Sequence, residues 1–363
     1  MVTILEVARK AKVSITTVSR VLNNSSHKVN KRTREQVLKT VKELDYRPNA
    51  LAKSLLKKCS MTIGVIIPDI SNPYYAEIVR GIQDAADRAG YSVLIQNSDL
   101  KAERIIQSVY ELREKHADGV IFAGGVFHEN NLISAMKNLS SRAVVIGRFE
   151  GDLPAVRIDN EYAAFIAVQH LVELGHSKIA FVNGATDSST MADRLQGFMN
   201  ALVHFNCPLR KEFVVMGALT LSGGYAQVKS LLKKKQRPSA IIMANDQMAF
   251  GAVKAIKEAK LLIPEDVAVV GFDNVPLCSY FEPSITSIEI PRYNLGQAAM
   301  ELLIELIAGN APKEKIRWFR VDIIKRQSTV PGFGIREKIS LLENDIVSGR
   351  EILKTVTIPK PVH

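Results

Sequence analysis

Ser14-Ile15-Thr16-Thr17-Val18-Ser19-Arg20-Val21-Leu22-Asn23 is the stretch whose reading decides how this chain begins to fold. Ser14 can cap a helix through its side-chain oxygen. Val18, Val21 and Leu22 then fall on one helical face. Upstream, Thr3-Ile4-Leu5-Glu6 has the form of a capping box, which predicts a helix from about Ile4 to Ala11. Lys12-Val13 interrupts the two. Downstream, a loop from Asn23 to Asn30 leads to a third helix over about Lys31–Asp45, with Val37, Leu38, Val41 and Leu44 as its apolar face. Val7, Ala8, Val13, Val18, Val21 and Leu22 can share a small core. Two helices joined by a short turn, with a third in support, make a helix-turn-helix module.

The second helix opens on short side chains, Ile15, Thr16 and Thr17, and carries Arg20 one turn later. Ile15 can meet a thymine methyl, Thr16 a base edge, and Arg20 guanine O6 and N7. Ser14, Ser19 and Asn23 suit phosphate oxygens, which set register rather than sequence. Helix pairs of this kind also occur as plain packing units. Charge favours the nucleic-acid reading. Residues 1–60 hold 14 Lys/Arg against 4 Asp/Glu, and the remaining residues hold 34 against 33. Almost the whole net charge of +11 therefore sits in one small segment, as expected of a module that neutralises phosphates.

From Thr62 the texture changes. Apolar runs alternate with helical stretches, the pattern of buried parallel strands with crossover helices. Strands are expected at Thr62–Pro68, Tyr91–Asn97, Gly119–Gly124, Ala143–Gly147 and Val156–Asp159. A second series is expected at Lys178–Asn183, Phe213–Met216, Ala240–Ala244, Val267–Phe272 and Thr286–Ile290. Two such sets predict an α/β body of two doubly wound lobes, which bind ligands outside the carboxyl ends of their strands. Asp69, Asp159-Asn160, Asn245-Asp246 and Asp273-Asn274 lie at those ends. Each alone can be a helix cap. Together around one cleft they suit a polar small molecule.

Several of these stretches carry a family resemblance. Val7-Ala8, Val13-Ser14, Thr17 to Asn23, Thr33-Arg34, Leu44-Asp45-Tyr46 and Pro48 to Leu55 resemble the headpiece of the lactose-repressor/galactose-repressor family of bacterial regulators. Asp69 to Tyr75, Leu174-Gly175-His176, Arg194 to Phe198, Ala244 to Ala249 and Gly271 to Asn274 are similar to recurring motifs of that family's body. The resemblance implies a transcriptional repressor with a headpiece (1–47), a hinge (48–60) and a two-lobed periplasmic-binding-protein-like core (61–330). Lobe 1 would hold about 61–159 and 291–321, and lobe 2 about 160–290 and 322–330. Such a protein binds double-stranded operator DNA, a pseudo-palindrome, as a homodimer under the control of a small-molecule effector. By position, Ser14, Ile15, Thr16, Thr17, Ser19, Arg20 and Asn23 would contact DNA. The Pro48–Lys58 segment, otherwise readable as an ordinary linker, would be a hinge helix, with Leu55 as the wedge between base pairs and Lys53 in the minor groove or on its phosphates.

The resemblance also implies an effector site. Tyr74 and Tyr75 would flank the ligand. Arg194, Asn245 and Asp273 would fix its polar groups, and Arg148, Asp159, Ser188, Thr190 and Leu219 would line the cleft. Purine-responsive relatives place aromatics at Arg148 and Leu219 and an Arg at Ser188, which argues against a purine here. Arg148 beside Arg194 points to a sugar acid or sugar phosphate over a neutral sugar. Arg148 can instead bridge Asp159 or Glu150. Two departures stand out. Lys12 occupies a turn position often filled by Gly, at a cost of about 1 kcal/mol if left-handed. The loop from Asn23 to Thr33 is one residue longer than in several relatives, so Ser25, Ser26 and His27 receive no contacts. A rival reading is a catabolite regulator whose corepressor is a phosphorylated carrier protein. Relatives of that kind present Tyr-Asp at the place of Tyr293-Asn294, with basic residues nearby; Arg80 and Arg292 are the candidates here.

Catalytic machinery is absent from the pattern: no Walker loop and no dinucleotide glycine motif after a strand. The seven His residues never pair at helical metal spacing, so no metal and no cofactor is expected. Cys59, Cys207 and Cys278 are odd in number and far apart, which suits reduced thiols in a cytoplasm. No apolar run approaches membrane-spanning length, and the start, with Glu6, Arg9 and Lys10, reads as no signal peptide. In residues 331–363, Ile335, Ile339, Leu342 and Ile346 can form one amphipathic helix closed by Ser348-Gly349. It is short for a tetramerising element, so a tail is expected, with dimer against tetramer left open.

Overall fold

Thr3 and Glu6 start the first helix reciprocally. Thr3 N–H donates to Glu6 Oε2 at 2.7 Å, and Glu6 N–H donates to Thr3 Oγ1 at 3.4 Å. The computed structural model describes residues 2–22, 29–46, 59–124, 142–148, 153–184 and 188–330. The chain divides into two units, Met1–Met61 and Thr62–His363. The first holds α1 (Ile4–Lys10), α2 (Ile15–Leu22) and α3 (Lys31–Glu43). The predicted turn forms at Lys12, with φ at 53°, left-handed as the Gly usual at this position would allow. Val7, Ala8, Val18, Val21 and Val37 are buried together, with Val13, Leu22, Val41 and Leu44 packed against them. Leu38 is not part of this core: it is 44% exposed. Val37, Val41 and Leu44 share one stripe of α3 with the buried Thr40, and Leu38 lies on its flank. Ala11 and Tyr46, which the sequence reading missed, complete the core. Lys10 and Glu43 join α1 to α3 across the surface at 3.0 Å.

In the second unit, β1 (Thr62–Ile67), α4 (Pro73–Ala89), β2 (Ser92–Asn97), α5 (Ala102–Glu114), β3 (Gly119–Ala123), β4 (Ala143–Ile146) and β5 (Ala155–Ile158) come first. Next come α6 (Asn160–Glu173), β6 (Ile179–Asn183), α7 (Ser189–His204), β7 (Val214–Met216), α8 (Leu221–Leu232) and β8 (Ala240–Met243). They are followed by α9 (Asp246–Glu258), β9 (Ala268–Asp273), α10 (Leu277–Tyr280) and β10 (Thr286–Glu289). Last are α11 (Arg292–Ile307), β11 (Ile316–Phe319) and β12 (Asp322–Ile324).

These strands form two six-stranded sheets, ordered β11-β5-β4-β3-β1-β2 and β12-β10-β9-β8-β6-β7. All pairings are parallel except β10 with β12. The chain passes between the sheets three times: after β5, after β10, and between β11 and β12. Every strand expected from the sequence forms, with ends shifted by a single residue at most. β11 and β12 were not expected. Both are short edge strands, and Arg317, Arg320 and Asp322 break any apolar run.

Each sheet reverses its strand order once, between β1 and β3 in the first and between β6 and β8 in the second. Crevices open at the carboxyl ends of such strand pairs. Helices cover both faces of each sheet. α4 lies against α11 at glycine contacts, where a Cβ on Gly81 would fall 2.1 Å from Tyr293 O and one on Gly296 2.0 Å from Ile78 O. α4 starts at Asn72, which accepts from Tyr74 N–H at 3.0 Å and is followed by Pro73, a residue suited to a first turn.

The Lys12 backbone yields a test. Lys12→Gly should raise the local stability of the first unit by no more than about 1 kcal/mol, because relief of strain is partly offset by a freer unfolded chain. Lys12→Val should lower it. Hydrogen exchange at the Val18 and Val21 amides of the full chain measures both, and equal protection in all three proteins would contradict the strain.

Candidate functional site

In the first unit, α2 presents its start to solvent. Thr17 N–H donates to Ser14 Oγ at 3.1 Å, and the two hydroxyls lie 2.9 Å apart. Ser14 is thus the helix cap, and Thr17 is half-buried beside it. Ile15 is 45% exposed, and Thr16 and Arg20 are exposed one turn apart on the same face. Ser19 is half-buried. Arg20 has no hydrogen bond or ion pair among the described residues, so its guanidinium fork is available. No acidic residue stands in the first turn of α2 or α3, so nothing opposes an anion at their positive ends. Asn23, Lys53 and Leu55 lie outside the described residues, as do the Pro48–Lys58 hinge and the helix expected beyond residue 330.

In the second unit, a cavity of about 90 Å³ lies between the two sheets, at the order reversal of each. Seven of the ten side chains expected at an effector site line it: Tyr74, Tyr75, Thr190, Arg194, Leu219, Asn245 and Asp273. Tyr74 and Tyr75 follow β1 and meet edge to face, with ring centroids 4.9 Å apart. Burial pushes the Tyr74 phenol up to about 12 and Tyr75 higher still, so both hydroxyls keep their protons and can donate. Arg194, on α7, is buried, and its guanidinium lies 4.1 Å from the Phe272 ring centroid. Its Nε donates to Asn160 Oδ1 at 3.1 Å and its Nη1 to Ala244 O. Asn245 caps α9 by accepting from Met248 N–H at 2.8 Å, and its Nδ2 donates to Leu219 O at 3.2 Å.

Asp273 ends β9 in an irregular turn, with φ at 105° and 51° for Asn274. Asn274 N–H donates to Ser287 Oγ at 3.0 Å, and Val275 N–H to Asp246 Oδ2 at 2.8 Å. Arg326 Nη2 donates to Asn274 Oδ1 at 2.8 Å. Arg292 Nη1 donates to Asp273 O and Nη2 to Asn274 O, the latter at 3.1 Å. Asp246 uses its second oxygen to accept from Ser287 Oγ at 2.6 Å. The Asp273 carboxylate, buried and facing the cavity, accepts no hydrogen bond among the described residues. Burial pushes its carboxyl well above the usual carboxylate range, and the charge of Asp246 adds to the effect.

Three expected site residues stand off this lining, each for a local reason. Asp159 caps α6, accepting from Tyr162 N–H at 2.9 Å, and borders a separate groove beside Trp318. Its neighbour Asn160 reaches the cavity instead. Ser188 stands at the start of α7, two residues before Thr190. Arg148 pairs with neither Asp159 nor, among the described residues, any partner but Asp193, at 3.0 Å; Glu150 lies outside the described residues. The anionic-ligand expectation rested on Arg148 and Arg194. The first is off the lining, and the second spends Nε and Nη1 on protein acceptors.

Asn72, Gly124, Ile146 and Met191 line the cavity unforeseen, and Asn160, expected at the cleft only as a strand-end polar residue, lines it too. Of the four, only Asn72 had a signal, its place in the Asp69 to Tyr75 motif. Of the candidates for a carrier-protein surface, Arg80 is exposed and pairs with Asp84 at 3.1 Å. Tyr293 also donates to Asp84, at 3.1 Å, while Arg292 is buried. Among the described residues no group of three His, Cys, Asp or Glu side chains could hold a metal ion, and no helix is long and apolar enough to cross a membrane.

Two family models match the chain: "Bacterial regulatory proteins, lacI family" over residues 3–49 and "Periplasmic binding proteins and sugar binding domain of LacI family" over residues 60–327. Catabolite control protein A of Priestia megaterium is 38% identical over 331 residues, covering 90% of this chain and 99% of that protein. The lac repressor dimer bound to operator and the anti-inducer ONPF superposes with a TM-score of 0.83 at 31% identity, covering 91% of this chain and 99% of that one. A complex of the transcriptional regulator CelR with cellobiose superposes with a TM-score of 0.68 at 29% identity, covering 90% and 100%. The chain belongs to the LacI family of bacterial regulatory proteins and is a DNA-binding transcriptional regulator.

Proposed function

We propose that this regulator is a cytoplasmic repressor that binds a pseudo-palindromic operator as a homodimer and is controlled by a neutral sugar in the cavity between its lobes. One observation carries the choice of ligand. The carboxyl of Asp273 faces the cavity and accepts no hydrogen bond among the described residues, while Arg194 and Arg148 are engaged with protein groups. Oxygens that face open space in a cavity and make no protein hydrogen bond can accept one from a ligand, and a sugar hydroxyl is such a donor. The CelR relative is a complex with cellobiose, and the matching family model describes a sugar-binding domain. A sugar needs more room than the present 90 Å³, since ligand pockets begin at about 300 Å³. Its binding therefore changes the lobe angle, and a ligand that favours one angle shifts the equilibrium towards it. Leu55 would serve as the minor-groove wedge and Lys53 as a phosphate or groove contact. A phosphorylated carrier protein as corepressor is less well supported, because Arg292 is buried.

On DNA, Arg20→Ala should cost about 1–3 kcal/mol at a single operator position and relax base preference there. Operator libraries read by band shift measure this, and a uniform loss across all sequences would reduce Arg20 to a phosphate contact. At the cavity, a thermal-shift series with cellobiose, ribose, glucose, glucuronate and glucose 6-phosphate should show a rise with a neutral sugar. The stabilisation at a hundredfold excess over Kd is about 2.7 kcal/mol, and Asp273→Asn should abolish it. A response to the anionic compounds alone would contradict the neutral-sugar reading, and silence across the series would contradict a sugar effector.

The raised Asp273 carboxyl sets a pH dependence. A group whose folded-state pKa lies above its unfolded value adds stability at low pH, and that stability is lost as pH rises from the ordinary carboxylate range through the folded value. Sugar binding needs the ionised form as acceptor, so affinity should rise over the same window. Calorimetric titration across pH should show this rise in the native protein and no binding at any pH in Asp273→Asn. A flat native profile would place the sugar away from Asp273.

A further inference from the structure

Arg292 is the most heavily committed side chain between the two lobes, and neither DNA contact nor ligand contact uses it. It stands at the start of α11, just after the chain returns from the second sheet. Its backbone belongs to the first lobe, because α11 lies against α4 at the Gly81 and Gly296 contacts. Its guanidinium reaches the other way. Nη1 and Nη2 hold the carbonyls of Asp273 and Asn274 on the second lobe, while Nε donates to Glu77 Oε2 on α4 at 2.7 Å.

We infer that Arg292 is a positioning residue that joins the cavity's free carboxylate to the first lobe, so that occupancy at Asp273 is transmitted to α4 through Glu77. The inference rests on the effector reading for its trigger but on the geometry for the latch itself. Three features support it. The two carbonyls belong to the left-handed turn that aims Asp273 into the cavity, so a ligand pulling on Asp273 pulls on them. The planar fork of a guanidinium holds two carbonyls and a carboxylate in fixed directions, whereas an ammonium is a compact point charge on a flexible stem. The two ends differ in strength. The Arg292 side chain is 7% exposed and Glu77 39%. The carbonyl end is dry and firm, whereas the Glu77 end is partly screened by water and weak enough for a ligand to break. When the lobe angle changes, the Arg292 guanidinium swings with the Asp273 turn while its backbone stays on α11, and the pairing with Glu77 of α4 breaks and reforms.

The test is the distance between lobes in the full-length protein. Nitroxide labels go on Tyr110→Cys of α5 and Val203→Cys of α7, both exposed. Cys59 and Cys207 are replaced by Ser, and labelled chains are diluted with unlabelled chains. Pulsed electron resonance should give one narrow distance distribution without ligand. Glu77→Gln and Arg292→Met should each broaden it towards longer distances. Glu77→Gln should also cut the effect of cellobiose on operator affinity by about fivefold, the lower end of usual allosteric coupling, while its melting temperature stays near that of the parent. Glu77 is half-exposed, so this variant keeps the test decisive if Arg292→Met fails to fold. An unchanged distribution in Glu77→Gln overturns the latch. If cellobiose narrows the distributions of parent and Glu77→Gln alike, the latch falls and the sugar reading stands. If Glu77→Gln broadens the distribution while no sugar alters the parent, the latch stands and the sugar reading falls.

Discussion

The turn from Asp273 to Val275 depends on buried charge being met group by group. Asp246 accepts from Val275 N–H and from Ser287 Oγ, so both its oxygens are used. Arg292 and Arg326 take up the carbonyls and the amide oxygen of the same turn. Charges removed from water cost several kcal/mol each unless they are paired or hydrogen-bonded, and these are satisfied at almost every atom. Asp273 is the exception, and it faces the cavity. Two buried carboxylates at the ends of the neighbouring strands β8 and β9 thus have different tasks. The satisfied one builds the turn, and the unsatisfied one waits for a donor.

The position of that carboxylate follows from topology. Both sheets reverse strand order where the cavity lies, so the helices after β1, β6 and β8 begin beside it. Tyr74, Arg194 and Asn245 are there because a parallel strand must end and a helix must start. The chain crosses between sheets three times. One crossing carries Arg292, so the connection that permits lobe motion also carries the side chain that opposes it.

Periodicity made the helices and the strands of both sheets legible, and local chemistry made the Thr3–Glu6 cap and the Lys12 turn legible. Leu38 was misplaced because an apolar residue beside a stripe has the same composition as one within it. β11 and β12 were missed because edge strands need no continuous apolar run. At the cavity, seven expected side chains met because they follow strand ends. Asp159 and Ser188 stand off the lining, since residues after strand ends also start helices. The Arg148–Asp193 pair joins residues far apart in sequence, and nothing local encodes it. The commitment of Arg292 was equally hidden, since its partners come from α4 and from the end of β9.

The most direct measurement is the carboxyl carbon resonance of Asp273, followed by NMR across pH in the full-length protein with and without cellobiose. A titration well above the ordinary carboxylate range in the free protein, moving down when the sugar is bound, is the expected result. It would mean that the cavity-facing carboxylate gains donors from the ligand. A titration at the ordinary carboxylate value, unmoved by sugar, would contradict the central role of Asp273 in the cavity.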